Sequence, residues 1–263
     1  MSTATSRGLG VIELLTGEVD GFPLGVLAER LGAGKSSAHR TVTELVELGF
    51  IRQDAVSGNY VLGMKIVSLA QRHLARIPLV DLAQTFLDQL AAESGELARL
   101  SIVDGTSLIW IAKSEGGRSS LRVDPDAGRE VMLSCTASGL AWLSTKSDER
   151  ALELIDEQGG YPRLDEAGPK APHNAQEYLQ LLHRVREEGF AHLEDAFEVG
   201  VAAIAVPVVP PTGQETSYVL NIAGPTARLT AERCHALLPS LRRAVSDMTA
   251  LSWNHSPRKD SRT

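Results

Sequence analysis

The sequence predicts a mostly α-helical N-terminal domain joined by a helix to a larger α+β domain with an antiparallel sheet. Two observations on the 263 residues predict this division. Apolar residues recur at helical spacing, punctuated by glycines, as far as Leu48. Later runs alternate between apolar and polar residues, separated by Asp-Gly or Pro-Pro-Thr-Gly turns, as strands do.

Three helices are expected in the first 48 residues. Apolar stripes at 9–15 and 24–31 are each followed by a glycine, and a third helix at 35–48 begins after Gly32-Ala33-Gly34. A glycine-containing turn of three or four residues between two helices is typical of a helix-turn-helix. Ala38, Val42, Leu45 and Val46 are predicted to share one apolar face of the third helix.

A strand-turn-strand pattern follows the third helix. Runs at 50–52 and 60–62 flank Ser57-Gly58-Asn59, which predicts a hairpin of the kind called a wing. Residues 1–63 are therefore predicted to form a winged helix-turn-helix.

A linker helix is predicted at 64–78. Its apolar residues Val67, Ala70, Leu74 and Ile77 have the 3-4-3 spacing of a helix that packs on another helix, either in a second subunit or in the same one. Pro78 ends the pattern, and a further helix is expected at 79–94.

The larger domain, 79–253, is expected to alternate strands and helices. Strands are predicted at 98–103, 108–112, 119–123, 201–209 and 218–223, with Asp104-Gly105 as a type I′ turn and Pro210 to Gly213 as the last turn. Pro207 disfavours a central position for its strand. Helices are predicted at 137–144, 148–157, 175–188 and 231–251, with Pro239 as a candidate kink, and 254–263 as a disordered tail.

Composition and charge limit the class of protein. No run approaches the roughly 20 apolar residues of a membrane helix, and the first 15 residues do not resemble a signal peptide. Cys135 and Cys234 are too far apart in sequence for a zinc motif, so we expect a cytoplasmic protein without a metal or cofactor. Residues 1–77 hold eight basic and seven acidic side chains, whereas the remainder holds eighteen and twenty-six, which suggests different partners for the two domains.

The third helix carries the chemistry of DNA recognition. Ser36, Arg40 and Thr43 lie opposite the apolar face, and an arginine on a recognition helix can bond a guanine through two hydrogen bonds. A solvated surface helix is the alternative interpretation. The candidate DNA-binding residues are Lys35, Ser36, Ser37, His39, Arg40 and Thr43 on the helix, with Arg52 and Asn59 in the wing.

Motifs in both domains resemble one family, the IclR-type bacterial transcriptional regulators. The first domain contributes Ala33-Gly34-Lys35-Ser36-Ser37-Ala38-His39-Arg40 and Tyr60-Val61-Leu62-Gly63. The second contributes Thr136-Ala137-Ser138-Gly139, Gly189-Phe190-Ala191 and Gly224-Pro225-Thr226. The resemblance extends from about Arg7 to Trp253.

This resemblance implies a GAF-like effector domain and dimers or dimers of dimers on a double-stranded DNA operator. Transferred by position, the effector-binding residues are Ala137, Ser138, Leu193, Val201, Ala203, Asn221 and Ala223. Apolar residues at 193, 203 and 223 depart from the polar pattern of sensors of very small oxo-acids. They favour a larger organic acid, with aromatic acids as candidates. Arg122 and Arg129 are candidate carboxylate partners, with ordinary surface roles as the alternative.

Two other functions remain as alternatives to a ligand-controlled regulator. A hydrolase-like enzyme would use the second domain and keep the helix-turn-helix for assembly, but Ser138, His192 and Asp195 are only a loose set of catalytic residue types. A DNA-binding architectural protein would have no effector. We expect a sequence-specific transcriptional regulator, not an enzyme, modulated by a small organic acid.

Overall fold

The computed structural model describes residues 3–117, 128–163, 166–209 and 216–255. It divides into two compact units, Met1–Ile77 and Pro78–Thr263. The strand predicted at 119–123, Arg122, the turn at 210–213 and residues 256–263 of the predicted tail lie outside the described residues. No helix in the described parts is long and apolar enough to cross a membrane.

The N-terminal unit contains the predicted three helices and hairpin. They are α1 (Ala4–Thr16), α2 (Leu24–Arg30), α3 (Lys35–Glu47), β1 (Ile51–Gln53) and β2 (Tyr60–Leu62). Their common core is formed by Val11, Leu15, Leu27, Val42, Leu45 and Ile51. Val46 is 38% exposed, so its assignment to the apolar face was wrong. It lies about 80° around the helix from Ala38, at the edge of the buried face.

The wing is fastened to the loop between α1 and α2. Phe22 and Tyr60 exchange backbone hydrogen bonds of 3.1 and 2.8 Å, and Asn59 Nδ2 donates to the Asp20 carbonyl oxygen at 3.0 Å. Gly21 makes this approach possible because its φ is +62° and an added Cβ would lie 2.1 Å from the Tyr60 carbonyl oxygen. The hairpin therefore has a fixed position within this unit.

Helix α4 (Met64–Leu74) occupies the predicted linker segment and has no buried residue. Val67 and Leu69 are 44% and 43% exposed. Helix α5 (Pro78–Ser94) begins at Pro78, where a missing N–H costs nothing because the first turn of a helix has no partner for it.

The C-terminal unit is an α+β domain around one antiparallel sheet, as predicted. Five strands, in the order β4-β3-β7-β6-β5, form the sheet. They are β3 (Leu97–Asp104), β4 (Ser107–Glu115), β5 (Ala191–Glu194), β6 (Val201–Val208) and β7 (Tyr218–Pro225).

Two groups of helices cover the two faces of this sheet. Helices α5 and α9 (Ala231–His255) bury the face that carries Ala98, Leu100 and Ile204. Helices α6 (Ala137–Leu143), α7 (Asp148–Glu157) and α8 (Ala175–Glu188) belong to the core on the other face. Because side chains alternate along a strand, Arg99 and Ser101 point to this second face.

Several local predictions were wrong. Asp104 pairs with Ser107, so Gly105 and Thr106 are the central residues of the turn. Gly105 has φ +61° and Thr106 has no positive φ, which fits a type II′ rather than a type I′ turn. Strand β5 was missed because four residues are too short for a clear alternation. Helix α9 continues through Pro239 to His255, two residues into the predicted tail.

Pro207 lies in β6, an internal strand of the sheet, although proline was expected to disfavour a central position. The pairing of β6 with β5 ends at Ala205. At Pro207, β6 therefore has only β7 beside it, so the missing N–H interrupts no ladder on the other side.

Replacing Gly21 with alanine tests the anchoring of the wing. We expect Gly21→Ala to lower the free energy of unfolding of the N-terminal unit by at least about 1–3 kcal/mol, because the new methyl group meets the Tyr60 carbonyl at a strained φ. Gly25→Ala in α2 is the control, since a Cβ there meets open space and should stabilise the helix by about 0.5–1 kcal/mol. Urea denaturation followed by circular dichroism measures both; equal stability of the two variants would contradict the anchoring.

Candidate functional site

The outer face of α3 is exposed and polar. Lys35, Ser36, His39, Arg40 and Thr43 are exposed, whereas Ser37 is half-buried and its carbonyl accepts a hydrogen bond from Thr41. The inner face buries Ala38, Thr41, Val42 and Leu45. The helical arrangement therefore presents five of the six predicted α3 residues to solvent, with both cations in the first two turns.

The two predicted wing residues have different surroundings. Arg52 is 65% exposed at its side chain and lies 3.6 Å from the Asp54 carboxylate. Backbone N–H groups of Ser57 and Val56 donate to Asp54, which lowers the pKa of that carboxyl and shapes the wing turn. The Asn59 amide nitrogen donates to the Asp20 carbonyl oxygen, which ties this side chain into the wing. Arg52 is thus the better placed of the two to reach a ligand.

A cavity on the second face of the sheet brings together all seven predicted effector-binding residues. It encloses about 410 Å³ of space free of atoms, part of it open to solvent. Leu193, Val201, Ala203, Asn221 and Ala223 reach it from the strands β5, β6 and β7, on which each pair at i and i+2 shares a face. Ala137 and Ser138 close it from the start of α6.

Residues that the sequence interpretation missed also line this cavity, chiefly Arg99, Trp110 and Phe197. Arg99 is 6% exposed, and its guanidinium lies 4.1 Å from the centre of the Trp110 ring. It is paired across the ladder with Asn221. The Trp110 and Phe197 rings meet edge to face at 6.3 Å. An arginine within an alternating strand was the one available signal, because charged residues are rarely buried without a partner or function.

The segment before α6 is held by side-chain hydrogen bonds. Thr136 Oγ1 donates to the Met132 carbonyl at 2.7 Å and accepts from the Gly139 N–H at 3.0 Å. Gly139 must lack a side chain, because a Cβ would lie 2.5 Å from the Leu133 carbonyl oxygen. Burial raises the pKa of the neighbouring Cys135 to about 12, so this thiol stays protonated and unreactive at neutral pH.

Arg129 does not line the cavity. It is exposed in a separate open groove with Glu130, Gln158 and Tyr161, and its guanidinium lies 5.8 Å from the centre of the Phe197 ring. Phe197 borders both the groove and the cavity. The structure therefore separates Arg129 from the seven residues with which it was expected to act.

The residue types of a hydrolase are present but are not arranged as a catalytic triad. Ser138 borders the cavity together with Leu193, and His192, the neighbour of Leu193 on β5, points to the opposite face of the sheet. Burial lowers the pKa of His192. The Asp195 carboxylate accepts from the Gly200 N–H at 2.7 Å and lies 3.4 Å from Lys170. Among the described residues, no cluster of His, Cys, Asp or Glu could hold a metal ion.

Comparisons with known proteins agree with this architecture. The IclR helix-turn-helix domain model matches residues 4–55, and the model of the bacterial transcriptional regulator IclR C-terminal domain matches residues 71–250. The Pca regulon regulatory protein of Pseudomonas putida is 25% identical over 94% of this chain and 82% of its own length. The DNA-binding transcriptional repressor YiaJ of Escherichia coli is 28% identical over 92% of this chain and 84% of its own length.

A solved structure shows the same fold. The IclR homologue from Microbacterium hydrocarbonoxydans, solved in complex with 4-hydroxybenzoate, superposes with a TM-score of 0.80 at 19% identity and covers 97% of this chain and 100% of its own. Since the two family models together account for most of the sequence, this protein belongs to the IclR family of bacterial transcriptional regulators and is a DNA-binding regulator, not an enzyme.

Proposed function

We propose that this regulator binds its operator through α3 and the wing, and that a small organic acid bound in the cavity of the C-terminal unit controls this binding. Residues 1–63 are assigned to DNA binding, 64–78 to the linker and 79–253 to effector binding. The observation that carries the proposal is the convergence of seven predicted residues from the segment 137–138 and three strands on one largely buried cavity.

The exposed face of α3 supplies donors suited to a major groove. Arg40 can donate two hydrogen bonds to one guanine, and Lys35, at the first helical position, can reach a phosphate. Glu44 and Glu47 lie in the second half of α3. If the helix enters the major groove by its N-terminal end, this half is farther from the DNA phosphates. The local arrangement of charge thus suits DNA although the whole chain is acidic.

The cavity suits a small acid with an apolar body. Its lining combines apolar side chains with a small number of polar groups, as is typical of sites for small organic ligands. Aliphatic side chains dominate its walls, with Ser138 and Asn221 among the few polar groups. The 4-hydroxybenzoate bound by the structural neighbour supports an aromatic acid as the candidate effector.

A homodimer, or a dimer of dimers, would place two copies of α3 on a partly palindromic operator. The apolar residues of α4, which no part of the described unit buries, support a contact with a second copy. An acid that binds one conformation of the effector domain more tightly would shift the population of that conformation and so the spacing of the two α3 helices.

Removing the guanidinium of α3 tests the DNA-binding surface. We expect Arg40→Ala to weaken operator binding by about 1–3 kcal/mol and to relax the preference at the contacted base pair. Arg243→Ala, which removes an exposed arginine from the C-terminal unit, is the charge-matched control. Electrophoretic mobility shift and footprinting on the native promoter measure both; an unchanged footprint for Arg40→Ala would exclude Arg40 from base recognition.

Filling the cavity tests the effector site. We expect Asn221→Leu to abolish the effect of organic acids on operator binding and to leave the affinity for DNA unchanged, because Asn221 is the buried polar residue of β7 in the cavity. Fluorescence anisotropy of labelled operator, titrated with and without acid, separates the two effects. A normal response of the variant would place the effector elsewhere.

A charge on α4 tests self-association. Val67→Arg should shift the protein towards monomer, because it places a charge in the apolar seam. Ser68→Arg adds the same charge about 100° around the helix and should leave the oligomer intact. Light scattering after size-exclusion chromatography gives the masses; identical masses for the two variants would remove α4 from the interface.

A further inference from the structure

We propose that Arg99 binds the carboxylate of the effector, and that Trp110 and Asn221 complete a subsite for a hydroxy acid at this end of the cavity. This inference rests on the proposed function of the cavity as the effector site. It assigns the acid group to a buried residue of β3, which neither the sequence motifs nor the exposed arginines indicate.

The positive charge of Arg99 favours an anionic ligand. Arg99 is the sole charged side chain among the described residues that line the cavity, and it is 6% exposed. The attraction between a guanidinium and an anion grows as the surroundings lose water. A carboxylate that enters this cavity is therefore drawn to Arg99, whereas a cationic ligand is repelled.

Stacking fixes the direction of the guanidinium. Its carbon lies 4.1 Å from the centre of the Trp110 ring, on a strand paired directly with β3. A planar guanidinium held against an aromatic face loses little further freedom when it binds, and its parallel N–H groups match the two oxygens of a carboxylate. Arg99 thus offers a preorganised fork that a lysine could not provide.

Two buried polar atoms at this end point to a ligand independently of the charge. Trp110 Nε1, a donor, and Asn221 Oδ1, an acceptor, have no hydrogen-bond partner among the described residues, and the two residues are 2% and 1% exposed. An unsatisfied buried polar group costs about 1–3 kcal/mol, and a bound ligand can recover this. A second carboxylate oxygen can accept from Trp110, and a hydroxyl can donate to Asn221.

The other residues that line the cavity determine which ligand body fits. Leu193, Ala203 and Ala223 are aliphatic, and Phe197 adds an aromatic edge next to Trp110. Such walls favour a compact apolar or aromatic body over a sugar or a second charged group. The ligand class is therefore a hydroxylated monocarboxylic acid with an apolar body.

The experiment compares substitutions of two arginines, and it compares charged carboxylates with a neutral amide of similar shape. Binding of benzoate, 2-, 3- and 4-hydroxybenzoate and neutral benzamide is measured by calorimetry with the full-length native protein, Arg99→Met, Arg99→Lys, Arg129→Met and Asn221→Leu. Methionine keeps the bulk of the stem, and Arg129→Met is the matched control because Arg129 lies in the neighbouring open groove. Circular dichroism and melting without ligand verify that each variant is folded.

We expect Arg99→Met to weaken the binding of the carboxylates by about ten- to one-hundred-fold, the effect of losing a charged hydrogen bond. Benzamide should lose far less, Arg99→Lys should restore part of the affinity, and Arg129→Met should bind like the native protein. At least one hydroxybenzoate should bind more tightly than benzoate and lose that advantage in Asn221→Leu. A purely structural defect would weaken acid and amide alike.

The subsite is overturned if the native protein binds none of these carboxylates, if folded Arg99→Met keeps full affinity, or if Arg129→Met shows the loss instead. The proposed function fails separately, if acids that bind the native protein leave its operator affinity unchanged. In that case, a loss of benzoate binding in Arg99→Met would still support the subsite, so the two failures are distinguishable.

Discussion

The register between β3 and β7 positions both the core and the cavity of the C-terminal unit. It aligns Arg99 with Asn221 and Leu100 with Leu220, so the two polar side chains share the cavity face and the two leucines pack in the core with α5 and α9. A slip by one residue would move Arg99 under α5 and α9 and expose Leu100 to the cavity. Since an arginine buried among aliphatic side chains is strongly unfavourable, the same pairing stabilises the core and forms the cavity.

An ion pair secures this register at one end of the strands. The Arg228 guanidinium donates from Nε and Nη2 to the carboxylate of Glu96, which is 6% exposed and directly precedes β3. Gly224 on β7 accommodates the pair, because a Cβ there would lie 2.6 Å from Glu96 Oε2. Glu96 and Arg228 are 132 positions apart in sequence, so this contact joins distant parts of the chain around the cavity end of the sheet.

In both units, the periodicity of the secondary structure separates apolar side chains from polar ones. In the N-terminal unit, the helical period of α3 separates a buried apolar face from an exposed polar one, which can be offered to DNA. In the C-terminal unit, the period of two along each strand separates a dry core from a cavity with few polar groups. Twenty-six of the thirty-three acidic residues belong to the second unit, whereas the first is nearly balanced, with eight basic and seven acidic side chains.

Elements with a local pattern could be predicted from the amino-acid sequence. The helical period predicted α3 and its exposed face, the glycine turns predicted the wing, and family motifs predicted the seven residues of the cavity wall. The fold was needed to show that Arg99 and Trp110 also line the cavity, that Arg129 does not, and that Asn59 donates a hydrogen bond to Asp20. The reason is that these facts depend on strand register and on contacts between distant segments, and no periodicity within a single element encodes either.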